Sequence, residues 1–422
     1  MIDNNIAYTS KIALQKNNSL ILSIDRKELS LWIKIVVLVL PHFNPGYLNM
    51  LGFVGTIFDG IRVLSILVAV TLIVANGIMP SKVTVIIIIQ RLFLIMLTFF
   101  NGGEIRDITL EMGSVVAVLL LFEYFLRAST WKVYLSAMLF CFELMIGINL
   151  ATIILFPHGM YWTNGYRDTF FVSWRCWFLG YYNNLTQFLI PGYMFALLYI
   201  DETKKKLRSY LLIFAMFLSA YFLKSGGVVV SLISITLIWA FFKNRTLFFN
   251  YYTYWLSQVV FIVVVLSIGF NTKLLNWILD IIFNKKESFL GRVILWGKYA
   301  KQIISSPIVG YGIPDLIVRK KISGMSWGTH AHNLILEILY RGGIVNLVFW
   351  IAMVLIAGKY VYKYRNDKTC KIIAACFGGW CVDSFVEPFM TPFLMGMFVV
   401  AYYVGFSKDS TYFVIKKSKM FY

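Results

Sequence analysis

The chain has 422 residues, of which 59% are hydrophobic and only 14% charged, with a mean hydropathy of +0.74. A soluble domain is about 45–50% apolar and about 25% charged, so an ordinary soluble globular fold is excluded. The formal charge of +19 would suggest nucleic acid in a soluble protein. Here it is met by basic residues gathered in the short cytoplasmic loops of a membrane protein, and no nucleic-acid partner is expected.

The apolar residues fall in runs of the length that spans a bilayer, roughly 20 residues each. The first thirty residues, with Lys11, Lys16, Arg26 and Lys27, are mixed polar, show no cleavable signal and read as a cytoplasmic lead-in. The first run, 29–48, is interrupted by Lys34 and by Pro41-His42 and is short or kinked. Runs follow at 61–78, 83–100, 113–126 and 133–156. A polar, aromatic interval then covers 157–184. Further runs lie at 186–200 (with Pro191 inside), 207–223, 227–242 and 255–270. The longest polar interval, 285–345, comes next, and runs at 344–362, 372–385 and 391–406 close the chain. The expectation is an all-α, polytopic integral membrane protein with about twelve transmembrane helices. A bundle of about nine spans covers 1–270, an extracytoplasmic loop covers 271–343, and the last helices and a cytoplasmic tail cover 344–422. No internal repeat of the kind that marks a secondary transporter is visible.

Orientation follows from charge. With the N-terminus inside, every other loop is basic: Lys82; Arg127 and Lys132; Lys204, Lys205, Lys206 and Arg208; Lys243 and Arg245; then Lys359, Lys363, Arg365, Lys368 and Lys371. The tail adds Lys416, Lys417 and Lys419, whereas the loop holding Glu104, Asp107 and Glu111 is acidic. Both termini are thereby assigned to the cytoplasm, and the two long polar intervals to the outer face. The five cysteines, Cys141, Cys176, Cys370, Cys376 and Cys381, form no Cys-x-x-Cys pair and read as core fillers.

Candidate chemistry concentrates in the second interval. Ala331-His332-Asn333 precedes Leu334, Leu336, Glu337 and Leu339, then Arg341-Gly342-Gly343, which reads as a short helix from Ala331 to Tyr340 with a glycine stop. An imidazole at its start could take a proton from an attacking hydroxyl, cap the helix or meet a headgroup. His330 is a second candidate two residues away. A His-x-His pair also suggests a metal, but no Cys or carboxylate is close in sequence and none is expected. Arg292, after Ser288-Phe289-Leu290-Gly291, could bind phosphate oxygens in a bidentate fork or snorkel to lipid. Within the spans, Arg91, Glu123 and Glu143 suggest ion pairs between neighbouring helices. Lys224, beside Ser225-Gly226-Gly227, would face the same outer space as Arg292. In the first interval Arg167, Asp168 and Arg175 sit among Tyr161, Trp162, Tyr166, Trp174 and Trp177, which could stack on sugars or form an interfacial belt.

Four of these stretches together carry a resemblance: Gly291-Arg292-x-x-x-Trp296; Pro307-Ile308-Val309-Gly310-Tyr311-Gly312; Ala331-His332-Asn333; and Gly342-Gly343-Ile344. In that order they resemble the signature region of the O-antigen polymerase and ligase superfamily, most of all the Wzy-type polymerases. Phe178-Leu179-Gly180-Tyr181-Tyr182-Asn183-Asn184, leading to Leu189-Ile190-Pro191, is similar to the stretch before the sixth span of such proteins. Lys224-Ser225-Gly226-Gly227 stands where many members have Ser-Arg-Gly, so the arginine expected there is missing. The resemblance implies a bacterial plasma-membrane glycosyltransferase that takes a glycan on undecaprenyl diphosphate and transfers it to a sugar hydroxyl of another lipid-linked unit, without cofactor or metal. It implies His332 as general base and Arg292, with Lys224 or another cation, as the diphosphate contact. Asn333, Glu337 and His330 would orient the base or bind sugar, and Arg167 and Arg175 would add to substrate binding. It also leaves room for a chain-length regulator as a lateral partner. An O-antigen ligase shares these motifs. A flippase would line its spans with a central row of cations, which the chain does not show.

Overall fold

The computed structural model describes residues 26–103, 105–167, 170–241, 250–269, 286–324 and 329–419. Lys11 and Lys16 of the lead-in, Glu104, Asp168, Lys243 and Arg245 lie outside them. Six helices precede a small sheet: α1 (Arg26–Val39), α2 (Gly46–Met50), α3 (Phe53–Ala75), α4 (Lys82–Phe100), α5 (Ile105–Ala128) and α6 (Trp131–Leu155). The strands are β1 (Tyr161–Arg167), β2 (Phe170–Trp177) and β3 (Gly180–Tyr181), antiparallel in the order β1-β2-β3. Then come α7 (Thr186–Thr203), α8 (Leu207–Phe222), α9 (Gly226–Phe241), α10 (Tyr251–Gly269), α11 (Lys286–Ser305), α12 (Leu316–Ser323), α13 (Leu334–Lys363), α14 (Lys368–Ser384) and α15 (Pro392–Lys419).

The protein is an all-α polytopic membrane protein, and each expected run lies on a helix. Pro41 ends α1 as anticipated, and a single 3-10 turn, Leu40–Phe43, follows it. Among the described residues, five helices are long and apolar enough to cross a membrane: α3, α4, α6, α13 and the greater part of α5. Four shorter apolar helices, α8, α9 and the described parts of α10 and α15, accompany them. Only 22% of the most apolar window of α3 is buried, although its mean hydropathy is 2.3. In water such a surface would be untenable, so lipid is its natural solvent. Side-chain caps start several helices: Ser81 accepts from the Thr84 amide, Thr130 from Val133, and Asp367 from Thr369 and Cys370.

The core is built where α13, α14 and α15 pack on α7, α9 and α10. Trp255, Trp350, Trp380, Phe377 and Phe398 form one aromatic cluster, with Trp255 and Trp380 centroids 5.5 Å apart and Trp255 and Phe398 5.9 Å apart. It ties the last three helices to α10.

The charges inside the helices are satisfied differently from expectation. Glu123 accepts from the Ser81 amide (2.9 Å), the Thr84 hydroxyl (2.6 Å) and the Tyr403 hydroxyl, and pairs with Arg127 one turn along its own helix (3.2 Å). Arg91 pairs with neither expected acid. It donates to the Met390 carbonyl (3.2 Å) and to the Met112 sulfur (3.3 Å). Only Glu143 makes a bridge between helices, to Arg208 of α8 at 2.5 Å. A helix-start amide, hydroxyls and a carbonyl thus meet most of the hydrogen-bonding need for which ion pairs were anticipated.

Candidate active site

The site begins with backbone. The expected helix over 331–340 with a glycine stop is corrected: α13 starts at Leu334 and continues to Lys363, broken by a kink where Gly342 (φ −146°) and Gly343 (φ +58°) leave helical geometry. The loop Pro307–Gly312 fits into this kink. Pro307 and Ile308 carbonyls accept from the Ile344 (2.8 Å) and Val345 (3.1 Å) amides, while the Tyr311 and Gly312 amides donate to Tyr340 (3.0 Å) and Arg341 (2.7 Å). A Cβ on Gly343 would lie 2.3 Å from the Ile308 carbonyl, and one on Gly310 would lie 2.5 Å from the Tyr340 oxygen. The two glycine motifs of the sequence are therefore halves of one joint, which only residues without Cβ can close. Asn346 donates to the Ile338 carbonyl across the break and accepts from Gln90 of α4.

Asn333 caps α13. Its side-chain oxygen accepts from the Leu336 amide (3.1 Å) and its nitrogen donates to the Phe385 carbonyl (3.2 Å). Glu337 reaches back to the Ala331 amide (2.7 Å) and pairs with Arg341 at 2.5 Å. These bonds hold the two residues expected to orient the histidine or bind sugar in structural roles, and they tie the 331–333 turn to the turn after α14. His332 sits in this turn with φ +49°, a left-handed conformation uncommon outside glycine and stored here by the surrounding bonds. Its carbonyl accepts from the Trp296 indole (3.3 Å).

At the centre lies a residue not singled out from the sequence, Glu387, only 4% exposed, in the turn between α14 and α15. Its Oε1 accepts from Arg292 of α11 (3.0 Å) and from the Asn183 amide group (3.0 Å). Its Oε2 lies 3.2 Å from His332 Nδ1 and 3.9 Å from His330 Nε2. Arg292 and His332, expected to act together, thus meet on one carboxylate. The His332 amide donates to His330 Nδ1 (3.2 Å), which assigns the His330 proton to Nε2 when that ring is neutral. Burial, His332 and the nearby Arg341, Arg319 and Arg292 hold the His330 pKa well below the usual imidazole value. The 3.2 Å approach of His332 Nδ1 to Glu387 is a charge contact without hydrogen-bond geometry. Asp383, 1% exposed and one helical turn before Glu387, accepts from the Thr186 hydroxyl (3.0 Å).

Three arginines, 292, 319 and 341, lie within electrostatic reach of His330. Arg319, on α12, donates to the Pro314 and Thr329 carbonyls, and burial and Arg341 lower its pKa. Neither Arg319 nor Arg341 was anticipated as a site residue, because basic residues beside an interface are ordinarily read as headgroup contacts. The other sequence candidates fall elsewhere. Lys224 is exposed on the turn between α8 and α9, with φ +53°. That turn nonetheless abuts the site, since a Cβ on Gly227 would lie 3.2 Å from Asp383 Oδ1. Arg175 is exposed on β2, its guanidinium 5.5 Å from the Trp162 ring centroid. Arg167 ends β1, opposite Phe170.

One atom each of His330, His332 and Glu387 lies within 4.8 Å of the others, so the three could hold a divalent cation. The sequence offered no carboxylate near the histidines, and the fold brings one from 55 residues away. Arg292 already occupies the same carboxylate, which weakens the case for a cation there.

A family model described as O-antigen ligase matches residues 211–351, which run from α8 through the kink of α13 and include Arg292, His330 and His332. An O-antigen ligase of Pseudomonas aeruginosa is 28% identical over 114 residues, which cover 26% of this chain and 27% of that protein. The match thus spans about a quarter of the relative's length. Together with the motifs inside the matched segment, these similarities make residues 211–351 resemble the O-antigen polymerase and ligase superfamily.

Proposed function

We propose that this membrane enzyme joins undecaprenyl-diphosphate-linked oligosaccharide repeat units into O-antigen or capsular polysaccharide at the outer face of the bacterial plasma membrane. The observation that carries the reading is the meeting of Arg292 and His332 on buried Glu387. The connections at the opposite end of the helices bear Lys204, Lys205, Lys206, Arg365 and Lys368. Reading that end as cytoplasmic by the positive-inside rule, with Glu387 outside, supports the proposal.

In this mechanism His332 Nε2 takes the proton of an acceptor sugar hydroxyl, and the freed oxygen attacks the anomeric carbon of the donor glycan. The bond from that carbon to the diphosphate oxygen breaks, and the lipid diphosphate leaves with the electron pair. Arg292 supports the departing charge. Arg341, Arg319 and Lys224 are the candidates for a second cation, and Arg167 and Arg175 would guide the glycan at the hairpin. Glu387 stabilises the imidazolium formed on proton transfer. The proton then passes from His332 to solvent or to the released diphosphate. No step calls for a metal or cofactor.

The description of the family model and the name of the similar protein favour a second reading, transfer of a finished glycan to another acceptor, as in a ligase. Sizing the lipid-linked glycans of a deletion strain separates the two. Accumulated single repeat units support a polymerase. Long lipid-linked polymer that never reaches its final acceptor supports a ligase. Single units trapped on the cytoplasmic face would refute both.

A further inference from the structure

A cavity of about 770 Å³ opens between the 3-10 turn, α2, α3, α5, the hairpin and the start of α15. Its volume suits a small-molecule pocket, about 300–1,000 Å³, but such pockets are mostly apolar and this one is not. His42, Asp59, Arg62, Glu111, Asn184 and Thr391 all line it. Among the described residues, His42 Nδ1, Asn44 Oδ1, Arg62 Nε and Thr391 Oγ1 have no hydrogen-bond partner. Two of those side chains are deeply buried: His42 is 2% exposed and Arg62 6%. Those atoms lie beneath the wall; the polar side chains that line the cavity, His42, Asp59, Glu111, Asn184 and Thr391, bring both donors and acceptors and so match hydroxyl groups, which are both.

Charge separates the possible ligands. The single cation, Arg62, is taken up by Asp59 at 2.8 Å and Ser114 at 3.0 Å, and Glu111 adds a second carboxylate to the wall. A diphosphate would be repelled here, whereas a neutral glycan would not. Tyr161 and Tyr181 add aromatic side chains to the lining. The cavity also adjoins the Glu387 cluster. Asn183 donates to Glu387 and its neighbour Asn184 lines the cavity; Thr391, on the wall, is four residues beyond Glu387. Four extended residues span at most about 14 Å.

We infer that this cavity binds the acceptor: an uncharged stretch of the oligosaccharide whose hydroxyl is presented to His332, kept apart from the arginines that bind the diphosphate. The inference rests on the glycan-transfer reading above. It is tested with the full-length protein in lipid nanodiscs, in a His332→Ala background, using as probe the free repeat-unit oligosaccharide released from the host's lipid carrier. Saturation-transfer NMR should detect binding. Thr56→Trp and Asn49→Trp, both on the exposed rim of the cavity, should weaken it at least tenfold, and Thr56→Ser should keep it. With His332 restored, Thr56→Trp should raise KM for acceptor at least tenfold while kcat stays within about twofold. Binding that is absent, or that survives both tryptophans, overturns the acceptor site. The binding assay involves no chemistry, so it stands apart from its parent reading. If cells carrying His332→Ala make glycans of wild-type length, the transfer reading fails, whatever the NMR gives.

Discussion

Replacing Glu387 with glutamine tests whether the buried carboxylate organises the site. The side chain keeps its shape, so the Asn183 contact and the packing survive. Two contacts lose their charge partner: Arg292 at 3.0 Å and His332 Nδ1 at 3.2 Å. Hydrogen bonds to charged groups contribute about 1.5–3 kcal/mol each, and part of this remains because an amide oxygen still accepts from Arg292. A net loss of about 3–5 kcal/mol of transition-state stabilisation corresponds to roughly 10²–10⁴-fold in rate, at about 1.4 kcal/mol per tenfold. The assay is polymer formation by purified protein in nanodiscs from lipid-linked repeat units, with protein level and thermal midpoint measured in parallel. Glu387→Asp, which keeps the charge and shortens the reach, should fall between wild type and glutamine. If Glu387→Gln transfers glycan within about threefold of wild type, Glu387 does not hold the base, and the assignment of His332 falls with it.

Other expectations follow from the same geometry. Gly343→Ala forces a left-handed alanine, at about 1–3 kcal/mol, against a carbonyl 2.3 Å away, at a further ~1–3 kcal/mol; a midpoint within a degree of wild type would contradict the joint. Arg341→Met strands Glu337, whose side chain is only 2% exposed, and should cost about 3–5 kcal/mol. Adding Glu337→Gln should recover much of that, as a double-mutant cycle would measure. His330 has its pKa lowered on folding, so below its ordinary value of about 6.5 the unfolded chain binds the proton that the folded one refuses, and stability falls with pH. His330→Gln should therefore flatten the drop in thermal midpoint between pH 7.5 and 5.5. Millimolar chelator should leave glycan transfer unchanged; loss of activity restored by one divalent ion would make His330, His332 and Glu387 a metal centre instead.

The helices were legible because lipid demands long apolar runs, and Pro41 and the basic loops punctuate them visibly. The hairpin was not, since Tyr161 to Trp177 reads equally as an interfacial aromatic belt. Arg292 and His332 stood out as polar residues in a glycine-marked interval. Glu387 did not, because an acid followed by Pro388 in a short turn looks like any span end. Its importance comes from burial and from three partners, Asn183, Arg292 and His332, that are 204, 95 and 55 residues away. Periodicity and local motif carry no information at such separations. Asn333 and Glu337 were visible as polar residues near His332, but not as the cap and the backward-reaching acid that fix the turn.

The glycines give the strongest link between sequence and chemistry. Pro307–Gly312 and Gly342–Gly343 bear no reactive group, yet each supplies backbone bonds to the other, and closing them bends α13 soon after its start at Leu334. The first turns of α13 pack on α11 through Leu295, Tyr299, Ile335, Leu336 and Tyr340. Trp296 and Arg292, one turn apart on α11, then reach the His332 carbonyl and Glu387 respectively. A strained histidine conformation persists only where its surroundings over-determine it. Here the Asn333 cap, the Trp296 bond, the His330 contact and Glu387 do so from four directions. A substitution that opens the glycine joint should therefore lower kcat before it unfolds the protein, because the geometry at His332 depends on that joint more closely than the bundle does.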